Sequence, residues 1–174
     1  MPTPDLNRVP SFYHKYISLV MQDDLEDAFT QTQQNLIDLL ASIPAERWDY
    51  SYAEDKWSIK ELVQHLIDAE RIFCYRALCF ARIDTVALPG FDENNYAMNS
   101  KANQRSKESL LQELQVVQQS SAAMFNSFDE EQLQSSGIAN NNSIYVSAIG
   151  FIIIGHALHH KKILEERYLQ KNPA

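Results

Sequence analysis

The chain has 174 residues and a formal net charge of −8, and we expect one domain, spanning residues 1–174, that is large enough to bury a hydrophobic core. Its longest basic run is the pair Lys161-Lys162, and so acidic a chain is a poor partner for the phosphate backbone of nucleic acids. Only 4 glycines and 6 prolines are present, which favours helices over a turn-rich β protein.

The N-terminal segment changes from polar to aromatic. Met1 to Pro10 contains prolines and lacks the apolar stretch of a signal peptide, which predicts a cytoplasmic protein. Val9 to Ile17 is rich in aromatic residues and predicts a helical turn that packs across one end of the fold.

A first long helix is predicted from about Asp23 to Ser42, because apolar residues recur there at helical spacing. Pro44 should end this helix, since proline cannot continue the ladder of backbone hydrogen bonds. The segment from Pro44 to Trp57 carries two tryptophans and two tyrosines. We therefore expect it to fold back onto the helices.

The second helix has a well-marked start at Ser58. Ser58 and Glu61 match the capping-box pattern, in which each side chain accepts a hydrogen bond from the other residue's backbone N–H. The helix should run to about Arg82, and His65 adjoins its apolar stripe. Arg76 follows three turns later, nearly in line with His65.

Two cysteines, Cys74 and Cys79, fall within this second helix. Five residues of helix separate them by an axial rise of about 7.5 Å, which exceeds the reach of a disulfide. We expect both thiols to be reduced and to serve as inert packing.

A long ordered loop is predicted from Asp84 to about Arg105, because it contains a Pro-Gly turn and too many asparagines to continue a helix. Loops of this length in compact domains tend to cover a site. The third helix is predicted from about Ser106 to Phe128, and a polar turn is predicted from Gly137 to Asn142.

The fourth helix should begin near Ser143 or Ser147 and end near Gln170, before Pro173. It includes the longest strongly apolar run, Ala148 to Ile154, which is far shorter than the roughly 20 residues of a membrane span. We therefore expect no membrane partner.

Four helices of about twenty residues predict an all-α fold, a four-helix bundle, in which metal sites are commonly built from inward-facing residues on different helices. The long connection between the second and third helices allows a crossover. Such a crossover would make the second and fourth helices neighbours.

Three histidines suggest a metal site in this bundle. His156 and His160 lie four residues apart on one helical face, so their rings can chelate one ion. With His65 they form a three-histidine set that suits zinc, nickel or iron(II) and leaves coordination positions open. His159 lies about 60° from His156 and about 100° from His160 around the helix, which predicts a supporting or rim position. The alternative is a pair of helix-face histidines without a metal.

Two better-known metal motifs are absent from the sequence. Ala157 follows His156 where a zinc protease of the His-Glu-x-x-His type carries its general base. The Glu-x-x-His motifs of a di-iron carboxylate bundle are also missing.

At these residues the sequence resembles the DinB-like superfamily, and especially its YfiT-type branch of metal-dependent hydrolases. The resemblance covers nearly the whole chain, and its individually weak motifs are specific in combination: Tyr16-Ile17, Lys56-Trp57-Ser58-Ile59-Lys60-Glu61 through His65, Asp68-Ala69-Glu70-Arg71, Tyr75-Arg76, Leu88-Pro89-Gly90-Phe91-Asp92, and Gly155-His156 to Arg167-Tyr168.

The resemblance implies an up-down-down-up four-helix bundle with a crossover between the second and third helices, often present as a homodimer. It also implies a metal bound by His65 from the second helix and by His156 and His160 from the fourth. Characterised members of the family include S-transferases that use the thiols bacillithiol or mycothiol, so family membership alone does not define the reaction.

These observations predict a metal-dependent enzyme that acts on a small electrophilic substrate with a metal-activated thiol or water. The expected cofactors are a divalent metal, with zinc or nickel first and iron as a further candidate, and a low-molecular-weight thiol. The alternative is a non-catalytic metal-binding or dimerisation module.

Arg76 is the residue that we assign to substrate binding, since its guanidinium can hold an anionic group. A structural ion pair with Asp68 or Glu70 is the competing role, and the sequence favours it.

Overall fold

Four long helices form a bundle in the computed structural model, which describes residues 3–22 and 24–170. They are α2 (Leu25–Ser42), α3 (Ile59–Ala81), α5 (Lys107–Asn126) and α7 (Val146–Ile163). Three shorter helices, α1 (Ser11–Ile17), α4 (Glu93–Asn99) and α6 (Glu130–Gln134), and two strands, β1 (Ser136–Ala139) and β2 (Asn142–Tyr145), complete the fold. Asp23 and Pro173, which were used to bound the first and fourth predicted helices, lie outside the described residues.

Three of the four long helices, α2, α3 and α5, begin where a side chain satisfies their free N–H groups. Asp24 caps α2, Ser106 caps α5, and Ser58 and Glu61 form the expected capping box at the start of α3. Helix α7 follows Tyr145 without a side-chain cap, and all four long helices begin within three residues of one of their predicted starts.

The four long helices form a ring of contacts. Helix α2 packs against α5 and α7, α3 also packs against α5 and α7, and α1 lies on α7. The second and fourth long helices, α3 and α7, are therefore neighbours, as the long connection allowed. The order of helix directions, the homodimer and the cytoplasmic location stay predictions.

The aromatic segment after α2 folds back onto the bundle as expected. Trp48 is fully buried, and the Tyr168 hydroxyl donates a hydrogen bond to the Trp57 carbonyl at 2.7 Å. Arg47 donates to the Tyr168 carbonyl at 2.5 Å. Tyr168 ends a π-helical turn, Leu164–Tyr168, that extends α7. These contacts join the end of the chain to the loop that precedes α3.

The predicted loop between the second and third long helices is wrong in part, because it contains α4 and a 3-10 turn at Ala102–Gln104. Asparagine content argued against a helix there. Asp92, however, accepts hydrogen bonds from the N–H groups of Asn94 and Asn95, and the short helix packs against α3.

The all-α prediction is also wrong in part, because the predicted polar turn is the centre of a hairpin. Strands β1 and β2 pair antiparallel, with Ala139 opposite Asn142. Asn140 and Asn141 have φ angles of 49° and 60°, which two-residue hairpin turns require and asparagine tolerates. The hairpin also binds the loop after α3, since Leu88 donates to the Ile138 carbonyl and Asn140 donates to that of Leu88.

Cys74 and Cys79 are both free, in agreement with the spacing argument. Within residues 3–22 and 24–170, no helix combines the length and the apolar character that spanning a bilayer requires.

A small polar cluster lies in the core between α3 and α5. The Cys74 thiol donates to the Ser121 hydroxyl at 3.1 Å, and that hydroxyl donates to the Val117 carbonyl at 2.9 Å. Glu70 is buried beside them, and its Oε1 atom has no hydrogen-bond partner among the described residues. Burial raises the pKa of the Glu70 carboxyl to about 7, against a smaller opposing effect of Ser121.

Candidate metal centre

Three buried histidines converge in the contact between α3 and α7. The Nε2 atom of His156 lies 3.0 Å from Nε2 of His65 and 3.1 Å from Nε2 of His160. One ligand atom from each of the three rings lies within 4.8 Å of the others. The two rings from α7 are one helical turn apart, and the packing of α3 on α7 supplies the third.

Hydrogen bonds among the three rings cannot account for the positions of all three Nε2 atoms. An imidazole nitrogen has either one proton or one lone pair in the ring plane, so Nε2 of His156 can form only one good hydrogen bond. It nevertheless lies at hydrogen-bonding distance from two other Nε2 atoms. A cation at the point where the three nitrogens converge would accept one lone pair from each ring. Three neutral imidazoles therefore fit a metal ion as their common partner.

The spacing of the nitrogen atoms also fits a metal ion. Tetrahedral coordination with metal–nitrogen bonds of about 2.0 to 2.1 Å places two ligand nitrogens about 3.3 Å apart. Two of the three separations, 3.0 and 3.1 Å, differ from that value by a few tenths of an ångström, and the ligand atoms of His65 and His160 lie within 4.8 Å of each other. The two pairs that include His156 are therefore close to the spacing of ligands on one cation.

The three rings are neutral at neutral pH, which is the state that binds metals. Burial lowers the pKa of His65 to about 4 and that of His160 to about 3. Burial, together with the neighbouring imidazoles, also holds the pKa of His156 well below its ordinary value. Protons therefore compete weakly with a metal for these nitrogens, even in mildly acidic solution.

Aromatic rings hold the imidazoles in place. The ring of Trp57 lies 4.7 Å from that of His65, and the ring of Tyr16 meets that of His156 edge-on at 5.5 Å. The buried Nδ1 atom of His160 has no hydrogen-bond partner among the described residues, so ring packing orients this imidazole. Ring contacts thus take the role that hydrogen bonds to the second nitrogen take in many metal sites.

A pocket of about 370 Å³ opens above the three Nε2 atoms. Its walls are mainly aromatic, and the rings are those of Phe12, Tyr13, Tyr16, Trp57, Phe73 and Phe91. Its charged residues are Arg76, which is buried, and Lys15 and Glu93, which are exposed. The volume lies within the range of small-molecule sites.

Gly155 explains how α1 comes to form a wall of this pocket. A Cβ atom at position 155 would lie 2.1 Å from the backbone oxygen of Tyr16, which is far too short for a non-bonded contact between carbon and oxygen. The glycine therefore lets α1 contact α7 one residue before His156. That contact brings Tyr16 and the other aromatic residues of α1 over the histidines.

Replacing Gly155 by alanine should move α1 away from α7 and open the pocket. Such overpacking costs about 1–3 kcal/mol, because backbone must shift as well as side chains. We expect a lower free energy of unfolding in denaturant titrations and weaker metal binding. The control is Lys162→Ala, at an exposed position of the same helix. If Gly155→Ala retains the stability and metal affinity of the original chain, the close approach is not required.

The structure brings together the three histidines that the sequence singled out, and it places Arg76 in the same pocket. His159 is half-buried at the pocket wall, where its ring packs on that of Tyr16 at 5.4 Å, outside the converging nitrogens.

The favoured ion pair of Arg76 with Asp68 or Glu70 is wrong. The ion pairs formed within residues 3–22 and 24–170 do not include Arg76, whose Nη2 atom donates instead to the Pro89 carbonyl at 2.9 Å. Its guanidinium projects towards the loop after α3, and spacing along α3 could not reveal that direction.

Sequence reasoning missed Lys15 and Glu93 as parts of the site. Both come from short helices, α1 and α4, that flank the bundle. Their sequences place them on no apolar stripe of a long helix, so no periodic pattern pointed to them. The Asp92 cap was the one local indication that Glu93 begins a helix.

Comparison with known proteins agrees with this architecture. Residues 28–164 match the sequence model of the DinB superfamily. No functionally curated protein matches the sequence. Among solved structures, YfiT from Bacillus subtilis, described as a probable metal-dependent hydrolase with an unusual four-helix bundle topology, is similar with a TM-score of 0.66 and 16% identity. The similar region covers 80% of this chain and 86% of YfiT, which shows a shared fold.

Proposed function

Since this chain belongs to the DinB superfamily, we propose that its three converging histidines bind a catalytic divalent cation and that the protein is a metal-dependent enzyme acting on a small molecule. The observation that carries the proposal is the convergence of three buried, neutral Nε2 atoms at the base of a pocket. Three protein ligands leave a coordination position open, as catalytic metal sites do.

Each residue of the site would have a distinct role. His65, His156 and His160 hold the cation, with zinc or nickel as the first candidates and iron(II) as a further one. A cation bound there would act as a Lewis acid and lower the pKa of a thiol or a water molecule that reaches it. Glu93 supplies a carboxylate in the pocket wall, and this carboxylate can accept the released proton.

The aromatic walls control what reaches the cation. Their apolar surface lowers the local polarity beside the histidines, which strengthens electrostatic interactions there. Two reaction classes fit this environment, transfer of a low-molecular-weight thiol to a small electrophile and hydrolysis by water. Both use the same open position, so the choice depends on which nucleophile the pocket admits.

Elemental analysis of protein purified without a nickel column should find about one divalent metal ion per chain, because each chain provides one three-histidine set. The His65→Ala variant should lose that metal, whereas His159→Ala, its matched control, should retain it. Thiol-conjugation and hydrolysis screens on the original chain and on His65→Ala then identify the reaction. Absence of metal from the original chain, or equal metal in His65→Ala, would exclude the proposal.

Thermal unfolding separates a catalytic ion from a structural one. Apolar clusters that involve all four long helices supply the core of the bundle. Removing a catalytic ion from such a preformed pocket should therefore leave the protein folded, with a modest decrease in Tm. Unfolding on chelation would instead favour the non-catalytic metal-binding module.

A further inference from the structure

Arg76 is a buried cation without a buried anion to neutralise it. Its side chain is only 4% exposed, and none of the ion pairs among the described residues includes it. Its hydrogen-bond partners are neutral, since Nη2 donates to the Pro89 carbonyl and the Tyr13 hydroxyl is a second partner of the guanidinium. Burying such a charge without a counter-charge is costly, so a residue in this state commonly serves a ligand.

The side chains around Arg76 leave the pocket with a net positive charge. The Tyr13 side chain lies beside it: burial raises the pKa of the Tyr13 hydroxyl, and the Arg76 charge opposes that rise. The pocket contains two cationic side chains, Arg76 and Lys15, and one carboxylate, Glu93. The whole chain has the opposite balance, with 15 basic and 23 acidic residues. The pocket is therefore a local positive region in an acidic protein, which attracts small anions.

The shape of the pocket restricts the anion to a small one with an apolar body. About 370 Å³ is near the lower end of the range for ligand sites. The Phe73 ring lies next to both ends of the site, since its centroid is 5.6 Å from the Arg76 guanidinium carbon and 6.3 Å from the His156 ring. A flat apolar group can therefore lie on aromatic surface while one end faces Arg76 and the other faces the histidines.

We propose that this pocket binds small organic acids, with the carboxylate held by Arg76, the flat apolar body between the aromatic walls, and the reacting group towards His65, His156 and His160. The orientation towards the histidines rests on the proposed metal-dependent function, whereas carboxylate binding at Arg76 does not. A carboxylate fits better than a phosphate, because one planar guanidinium matches two carboxylate oxygens and supplies a single buried positive charge.

The test compares benzoate with benzamide, which has the same ring and nearly the same size but no charge. Binding is followed by the fluorescence of Trp57, which lines the pocket. Benzoate should bind at least about tenfold more tightly than benzamide. Arg76→Gln should weaken benzoate about 10- to 100-fold and leave benzamide unchanged, because only a charge-assisted hydrogen bond is lost.

Two control variants separate a binding role from a structural one. Arg82→Gln removes the same charge from an exposed position at the end of α3 and should leave benzoate binding unchanged. Arg76→Lys keeps the charge but loses the planar fork, so it should bind benzoate with intermediate affinity, and it serves as the test if Arg76→Gln does not fold. If Arg76 serves ligand binding, Arg76→Gln should leave the Tm of the ligand-free protein unchanged or raise it.

Several results would overturn the inference. They are equal benzoate affinity in the original chain and Arg76→Gln, benzamide binding as tight as that of benzoate, tighter binding of inorganic phosphate than of benzoate, or no saturable binding of benzoate or phenylacetate.

Repeating the titrations on metal-loaded and chelator-treated protein distinguishes the two proposals. Benzoate preference that depends on Arg76 and survives chelation supports carboxylate binding even if the histidines prove to hold no metal. Benzoate binding that disappears on chelation and is insensitive to Arg76→Gln would mean coordination to the cation. That result would overturn the inference and leave the metal-dependent function intact.

Discussion

Replacing His156 by alanine should reduce the affinity for Zn²⁺ by at least about a hundredfold, more than the loss of a supporting residue around a metal site usually costs. The Nε2 atom of His156 is the one that lies near both other nitrogens, at 3.0 and 3.1 Å. Without it, one ligand remains on α3 and one on α7, so the chelating pair on a single helix is lost. Competition with a chromophoric chelator measures the change.

The control for this substitution is His159→Ala on the same helix. Its ring packs on Tyr16 and lies outside the converging nitrogens, so its loss should change the Zn²⁺ affinity by no more than about tenfold. Far-ultraviolet circular dichroism should show that both variants remain helical. If His156→Ala binds Zn²⁺ as tightly as His159→Ala does, the three-histidine centre is not the metal site.

Replacing Glu70 by glutamine should raise the free energy of unfolding by about 3 kcal/mol above pH 7. The carboxyl has a pKa of about 7 in the folded protein, against an ordinary value of 4.5. Between these values the unfolded chain has already released the proton that the folded protein still holds. Stability contributed by this group therefore falls as pH rises from about 4.5 to about 7, and the loss stays constant above that range. Glutamine has nearly the same shape and does not ionise.

The measurement is a set of urea titrations from pH 4 to pH 9, analysed as the difference between Glu70→Gln and the original chain. The buried histidines have lowered pKa values, so their contribution to stability falls as pH decreases below about 6.5. This pH dependence is opposite to that of Glu70, and taking the difference between the two proteins removes it. The neighbouring Cys74 thiol does not interfere, because burial raises its pKa to about 12. Glu54→Gln, at an exposed position, is the matched control. A difference that does not change with pH would contradict the prediction.

Two buried ionisable side chains, Glu70 and Arg76, are expected to affect the protein differently, because one lies in the core and the other lines the candidate site. Glu70 is buried in the core and does not line the pocket of the histidines, so its burial is expected to destabilise the folded state at neutral pH. Arg76 is buried at the edge of a pocket, where a carboxylate ligand can offset the cost of its burial. The same substitution to glutamine therefore has different expected readouts, stability for Glu70 and carboxylate affinity for Arg76.

The sequence by itself determined the features that depend on residues close together in the chain. Helical spacing placed the four long helices, and side-chain caps marked the starts of α2, α3 and α5, because both act within one or two turns. The positions of His156 and His160 on one face follow from the same periodicity. His65 could be singled out because it adjoins the apolar stripe of α3, which must face the other helices.

Apart from the three histidines, only the tertiary structure decided which distant residues meet at the site. The approach of α1 to α7 depends on an interaction across more than a hundred residues, at Gly155 and Tyr16, and it creates the pocket wall that contains Lys15. The direction of the Arg76 side chain depends on where the loop at Pro89 lies, and that loop is held in turn by the hairpin after α6. Such contacts depend on packing between elements, and periodicity within one element contains no information about them.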